Sequence, residues 1–147
     1  MQLRRSARSQ SSNTWMPGFS GGAGLLSTAA DYAKFLQMML NRGELNQTRI
    51  LGPKSVELMT TDHLGDIFFR PGTGFGLGFG IVKNPGLKGE LSSVGEFEWG
   101  GAYHSVYWGD PKEKLLVVYF TQLLPGEHLD DHRKLRALVY QALMDTR

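Results

Sequence analysis

Residues 96–122 read EFEWGGAYHSVYWGDPKEKLLVVYFTQ, and this stretch decides the fold. Aromatic and β-branched residues dominate it, and the DPKE sequence at 110–113 is typical of a turn between two strands. Strands joined by a loop this short pair antiparallel. We therefore predict one strand that enters at 97–99 and continues over 102–108, followed by a second strand over 115–122. The second strand is apolar on both faces, which is typical of a strand inside a sheet.

Helical patterns flank these strands on both sides. A capping box that begins at Thr28, followed by apolar residues at helical spacing, predicts a helix over 29–41. A proline suited to a first helical turn predicts a short helix over 53–60. Asp130 or Asp131 caps a last predicted helix. Its predicted apolar stripe consists of Leu135, Leu138, Val139, Ala142 and Leu143.

A glycine-rich segment at 75–83 alternates Phe, Leu and Ile with Gly, and this period of two predicts a single strand. The order of elements predicts an α+β fold, an antiparallel sheet with flanking helices. The three arginines within 1–14 predict a basic, flexible arm. Residues 15–147 are predicted to form a single domain, as the length of the chain suggests.

Composition excludes several classes of function. A formal net charge of +2 is too small to predict nucleic-acid binding, and no apolar run is long enough to predict a membrane span. No apolar segment follows the first arginines, so no signal peptide is predicted and a cytoplasmic location is the default expectation. The absence of cysteine excludes thiolate metal sites and a cysteine nucleophile. We expect no cofactor. We also expect no metal, because His128, although four residues before His132, precedes the predicted helix and so does not share a helix face with it.

Ser20 lies in the sequence Gly-Phe-Ser-Gly-Gly at 18–22, which matches the G-x-S-x-G pattern of a nucleophilic serine. That pattern requires a strand before the serine and a helix directly after it. Here Pro17 disrupts the preceding segment, and the next helix begins only near residue 29. The pattern therefore favours a glycine-rich loop, with a nucleophilic Ser20 as the alternative.

A second candidate site lies at Trp99, Gly100, Gly101 and Ala102, inside the first predicted strand. A glycine pair allows a ligand to approach the backbone, and a backbone amide there can donate to an oxyanion. The alternative is a β-bulge with an aromatic anchor. His104 follows this motif, and it is either a solvated histidine or a base.

The segments 20–59, 74–82 and 95–122, taken in this order, resemble the C-terminal part of the serine β-lactamase-like hydrolases. The resemblance is strongest to the family VIII carboxylesterases, relatives of class C β-lactamases and D,D-peptidases. In that family the serine of an S-x-x-K motif attacks the carbonyl, and its lysine and the tyrosine of a Y-x-N or Y-x-S motif transfer the proton. A third motif lines the site from a strand.

The resemblance implies roles for the second candidate site. Trp99, Gly100 and Gly101 correspond to the third motif, and the amide of Ala102 to an oxyanion donor. A tryptophan at the first position, in place of a lysine that binds a carboxylate, implies short-chain neutral esters as substrates. The resemblance gives Ser20 no catalytic role.

The first two motifs of that family are not found in this chain. None of its serines is followed three residues later by lysine, and none of its tyrosines is followed two residues later by asparagine; Tyr103-His104-Ser105 is only a weak Y-x-S match. Three hypotheses follow: a small esterase that uses Ser20 with His104 and Asp110 as base pair, a half-enzyme that needs a complementary N-terminal fragment, and an inactive binding domain. The family pairs the strand at 115–122 with N-terminal strands, so we expect a homo-oligomer or a bound N-terminal fragment.

Overall fold

The computed structural model describes most of the chain, over residues 26–67, 69–124, 126 and 129–144. The predicted arm at 1–14 and Ser20 lie outside these residues. In chain order the elements are α1 (Ala29–Leu40), β1 (Glu44–Leu45), β2 (Thr48–Arg49), α2 (Pro53–Met59), β3 (Thr73–Phe75), β4 (Gly80–Val82), α3 (Pro85–Lys88), β5 (Phe97–Gly100), β6 (Val106–Asp110), β7 (Leu115–Tyr119) and α4 (Asp131–Gln141).

The predicted α+β architecture is confirmed. The main sheet has five antiparallel strands in the order β3-β4-β5-β6-β7. β1 and β2, of two residues each, form a separate hairpin. In the centre of the sheet Trp108 pairs with Glu98 on one side and with Val117 on the other. No helix among the described residues is long and apolar enough to cross a bilayer.

The hydrophobic core lies between α1 and one face of this sheet. Leu36 and Met39 of α1 are buried in the same cluster as Phe79 and Phe97. Successive strand residues alternate between faces, so β5 sends Phe97 into this core and Glu98 to the opposite face. Helix α4 covers that opposite face, where Arg136 contacts Glu98 and Trp108.

The first two helices form where the sequence predicts them. The Thr28 hydroxyl accepts a hydrogen bond from the Asp31 amide at 3.2 Å, which is the interaction of an N-cap. α1 ends at Leu40 and α2 at Met59, each one residue before the predicted end.

The prediction of one strand over 75–83 is wrong. The chain reverses within this segment, because the Gly76 amide donates to the Phe79 carbonyl at 2.8 Å and closes the β3–β4 hairpin. Gly78 has a φ of +96°, a conformation that glycine adopts without steric cost. The alternation of glycine with large apolar residues therefore spans a turn.

The predicted strand over 102–108 is also shorter than expected. Residues 101–105 form a tight turn, and β6 begins only at Val106. The turn closes because the Gly101 amide donates to the Ser105 carbonyl at 2.8 Å. The predicted strand over 115–122 is present as β7 but ends at Tyr119, and it is one of the two edge strands of the described sheet.

The predicted apolar stripe of α4 is wrong at Leu138 and Ala142, which are both exposed. Leu138 is 66% exposed, whereas Arg136 is 5% exposed. Helical spacing identifies the face, but the partner on the sheet decides which residue is buried. That partner is carboxylate-rich, so the helix buries an arginine against it.

Candidate active site

A groove of about 280 Å³ lies at the end of β5, on the sheet face that α4 covers. Its walls include two parts of the predicted site, the Trp99-Gly100-Gly101 motif and His104 in the following turn, together with the α4 residues His132 and Arg136. The sequence-predicted motif and His104 are therefore brought together around one cavity. Ser20 lies outside the described residues.

The strand that carries the glycine pair is open along one edge. β4 pairs with β5 only at Phe97 and Glu98, so beyond Glu98 the strand keeps β6 as its single described neighbour. The Gly101 amide donates a hydrogen bond to the Ser105 carbonyl. The Ala102 residue is exposed, and its amide makes no hydrogen bond within the described part of the chain. It is therefore able to donate to a ligand.

Packing against neighbouring atoms does not strictly require glycine at positions 100 and 101. A Cβ atom at Gly100 would lie 3.3 Å from the Ser105 carbonyl oxygen, and one at Gly101 would lie 3.7 Å from the Ser105 Cβ. The second distance is ordinary van der Waals contact. Packing thus leaves space beside Gly101, which a close-approaching ligand can use.

Trp99 is held in place by an aromatic cluster. Its ring lies parallel to Phe69 at a centroid distance of 6.1 Å and edge-on to Phe75 at 5.1 Å. The guanidinium of Arg70 sits 5.3 Å from the Trp99 centroid, a cation–π distance. The first residue of the motif therefore acts as a fixed wall beside the glycines.

His104 forms an acid–base cluster with the start of α4. Its Nε2 lies 2.6 Å from Asp131 Oδ1, and its ring stacks on His132 with centroids 3.9 Å apart. The Tyr119 hydroxyl donates to Asp131 Oδ2 at 3.0 Å. The hydrogen bond from His104, together with that from Tyr119, lowers the pKa of Asp131 to about 2. The carboxylate is thus ionised at neutral pH.

The expected pairing of His104 with Asp110 is wrong. Asp110 is fully buried at the end of β6, where it accepts hydrogen bonds from the Tyr140 hydroxyl and the Lys112 and Glu113 amides. It therefore stabilises the β6–β7 turn. Sequence reasoning missed Asp131 as the partner because the contact joins residues 27 positions apart. The only available signal was an aspartate at a helix start.

A buried layer of charges forms the base of the groove. Arg136 Nη1 lies 2.7 Å from Glu96 Oε1, and Arg136 Nη2 lies 2.7 Å from Glu98 Oε2. Lys88 Nζ also lies 2.7 Å from Glu98. Burial raises the pKa of Glu96, and the two cations oppose that rise. These pairs fix α4 against β5 and so fix the wall of the groove.

A family model described as Beta-lactamase matches residues 2–141. Among curated proteins, Protein Rv1367c of Mycobacterium tuberculosis strain H37Rv is 37% identical over 127 residues. This match covers 78% of the present chain and 32% of that protein. The chain therefore spans about a third of the length of the curated relatives it matches.

Solved structures of hydrolases and acyltransferases share the fold. EstCE1, a hydrolase with promiscuous acyltransferase activity, matches with a TM-score of 0.70 and 27% identity, over 82% of this chain and 32% of its own. Unliganded simvastatin synthase (LovD) from Aspergillus terreus matches with a TM-score of 0.60 and 26% identity, over 74% and 33%. A putative 6-aminohexanoate-dimer hydrolase from Bacillus anthracis matches at 0.58 and 26%, over 78% and 28%.

Proposed function

Because this chain belongs to the β-lactamase family, we propose that it supplies the oxyanion strand of a serine hydrolase acting on short-chain esters. The proposal is supported by the β-lactamase-like hydrolase fold that the chain shares with EstCE1. It is also supported by the groove at the end of β5, which is lined by a tryptophan and a glycine pair. Trp99 offers no ammonium group for a substrate carboxylate, and this favours neutral esters.

One observation carries the proposal: Ala102 is exposed, and its amide makes no hydrogen bond within the described residues, next to the open edge of β5. When a nucleophile attacks an ester carbonyl, negative charge develops on the carbonyl oxygen. A fixed backbone N–H stabilises that charge, and loss of one such donor typically lowers kcat by about 10²–10³. The space beside Gly101 lets the acyl group approach the amide.

The nucleophile comes from outside the described residues. The chain has no S-x-x-K and no Y-x-N motif. We therefore propose that both motifs lie on a further segment or a separate chain that completes the site. His104 then lies in the same turn as the proposed oxyanion donor Ala102, and Ser20 has no catalytic role.

Fluorophosphonate labelling tests where the nucleophile is. The purified chain is labelled alone and after mixing with the complementary N-terminal part of a relative that carries both missing motifs, and the labelled peptide is identified by mass spectrometry. We expect no label on the chain alone and a label on the S-x-x-K serine in the mixture. Stoichiometric labelling of Ser20 in the isolated chain would contradict this division of the site.

The substitution Ala102→Pro tests the oxyanion role, because proline has no N–H. In the reconstituted mixture we expect hydrolysis of a short-chain nitrophenyl ester to fall by about 10²–10³ in kcat. Lys54→Ala, an exposed change on α2, is the matched control and should leave the rate as it is. Equal rates in the two variants would refute the assignment of Ala102.

A second candidate function is that of a non-catalytic domain that binds another strand. It is favoured by the position of β7, whose five apolar and aromatic residues are only half-buried at the outer side of the described sheet. Strands of this kind pair readily with another chain. The occupant we expect is a second copy of this chain or the complementary N-terminal fragment.

A further inference from the structure

Two histidines and one aspartate from distant parts of the sequence come together at the turn over 101–105. His104 comes from the turn between β5 and β6, whereas Asp131 and His132 come from the first turn of α4. One potential ligand atom of each lies within 4.8 Å of the other two. We propose that these three side chains bind a divalent transition-metal ion of the Zn²⁺ type.

The ligand set fits such an ion. Imidazole nitrogen and carboxylate oxygen are common ligands of Zn²⁺, and a site with three protein ligands keeps a fourth position for water or a ligand. A neutral imidazole carries a single N–H, so each of His104 and His132 retains one nitrogen lone pair. Asp131 offers a carboxylate oxygen within reach of both imidazoles.

The surroundings resemble the supporting shell of a metal site. Ligating carboxylates are usually hydrogen-bonded to an outer group, and here the Tyr119 hydroxyl donates to Asp131 Oδ2 at 3.0 Å. The His104 side chain is 11% exposed and that of Asp131 is 34% exposed. The cluster is thus sheltered and still reachable from the groove that His104 and His132 line.

The backbone at His104 is held in an unusual conformation. Its φ is +61°, which is uncommon for a residue with a side chain. The Thr121 hydroxyl and His132 Nε2 both contact the His104 carbonyl oxygen, at 2.7 and 3.1 Å. These contacts keep the His104 imidazole against Asp131 and His132.

Binding requires the side chains to rearrange, because the two stacked imidazole rings, with centroids 3.9 Å apart, must turn before both can point a nitrogen lone pair at one ion. His104 Nε2 and Asp131 Oδ1 are 2.6 Å apart, the distance of a direct hydrogen bond. Two ligands of a tetrahedral ion at about 2.0–2.2 Å stand roughly 3.3 Å apart. The metal would therefore replace the shared proton, which is released to solvent, and the two side chains would separate by less than about 1 Å. No Lys or Arg side chain forms an ion pair with Asp131 among the described residues.

Cobalt titration of the full chain tests the site without relying on any enzymatic activity. Co²⁺ is added to metal-free protein, its visible absorption is recorded, and Zn²⁺ is then used to compete. We expect one equivalent to bind, with Zn²⁺ displacing Co²⁺ and raising Tm. His132→Ala and Asp131→Asn should each weaken binding at least tenfold, and Tyr119→Phe should weaken it about tenfold through the outer hydrogen bond.

His63→Ala provides the matched control, because His63 is an exposed histidine whose Nε2 contacts the Leu58 carbonyl instead. We expect its affinity for Co²⁺ to equal that of the unchanged protein. Circular dichroism establishes that each variant is folded, and Tyr119→Phe, the mildest change, tests the site if His132→Ala unfolds. The proposal is overturned if the unchanged chain binds no stoichiometric Co²⁺, or if binding is as strong in His132→Ala and Tyr119→Phe as in the unchanged chain.

Discussion

Arg136 Nη1 lies 2.7 Å from Glu96 Oε1 and 2.9 Å from Glu96 Oε2. Glu96 is fully buried and Arg136 is 5% exposed. Charges at such depth remain only when they are paired and hydrogen-bonded. This single contact therefore joins α4 to the end of the segment that leads into β5, and it holds one wall of the groove.

Loss of the arginine should destabilise the fold strongly. In Arg136→Ala, Glu96 keeps its burial but loses its main cation, and we expect a loss of about 3–5 kcal/mol in the free energy of unfolding. Arg133→Ala is the control on the same helix, because Arg133 is exposed and lies 3.7 Å from Glu90. Urea unfolding measures both. Equal losses of unfolding free energy in the two variants would show that the buried Arg136–Glu96 pair stabilises the fold no more than the exposed arginine does.

Removal of the Tyr140 hydroxyl should make stability more sensitive to pH. That hydroxyl lies 2.5 Å from Glu96 Oε2 and 2.8 Å from Asp110 Oδ2. Burial raises the folded pKa of Glu96 above 4.5, so its contribution to stability is present below pH 4.5 and is lost as pH rises through the raised value. The hydroxyl opposes this rise in pKa.

Tyr140→Phe should therefore lose about 1–3 kcal/mol, because two buried acceptors lose a donor. Its stability should also decline more steeply than that of the unchanged chain as pH rises above 4.5. Urea midpoints at several pH values give both quantities, with Tyr103→Phe, an exposed tyrosine, as control. A parallel pH profile would argue against the coupling to Glu96.

Asp62 should govern stability in acid. Lys83 Nζ lies 2.7 Å from its carboxylate, and the Leu64 and Phe75 amides donate to it. The Lys83 contact, with the two amides, lowers its pKa to about 2. A lowered pKa contributes stability above the unfolded value, and this contribution is lost as pH falls from about 4 to about 2.

Asp62→Asn should accordingly lower Tm at neutral pH, with the difference from the unchanged chain shrinking as pH falls from 4 to 2. Asp66→Asn, an exposed change in the same loop, should have little effect at any pH. Thermal unfolding followed by circular dichroism provides the measurement. A constant difference across this pH range would show that the Asp62 charge is not the cause.

Gly109 should tolerate no side chain. A Cβ atom there would lie 2.4 Å from the ring of Phe97, which is 1% exposed and cannot move aside. Overpacking of this kind costs about 1–3 kcal/mol. Gly80→Ala is the matched change in the same sheet, since its Cβ would meet no atom closer than 3.5 Å. Urea unfolding should show a large loss for the first and little change for the second.

Local rules account for the parts of the fold that depend on neighbours in sequence. Thr28 caps α1 because its hydroxyl needs only the amide three residues on. The same rules fail at 75–83, because the hairpin turn itself alternates glycine with large apolar residues, as a strand here would. The chain reverses at Gly78, but the sequence around it does not distinguish this glycine from the other glycines of the segment.

The candidate site depends more on distant contacts. Trp99 and the glycines could be identified because they are contiguous and lie on one strand. The partner of His104 could not be identified from the sequence, since the contact with Asp131 forms only when α4 packs across the sheet. For the same reason Arg136 was not expected in the interior, as its burial depends on Glu96 and Glu98, about 40 residues away.

The outer strand β7 should make the chain associate. Leu115–Tyr119 has β6 as its only described strand neighbour, and its side chains remain half-buried. We expect a dimer by light scattering at tens of micromolar. Val117→Lys should shift the protein toward the monomer, because a lysine on an outer strand opposes pairing. Leu87→Lys, at an exposed leucine on α3, should leave association unchanged. A monomer in the unchanged chain would contradict self-association, and a complex with the N-terminal fragment that Val117→Lys weakens would identify that fragment as the partner of β7.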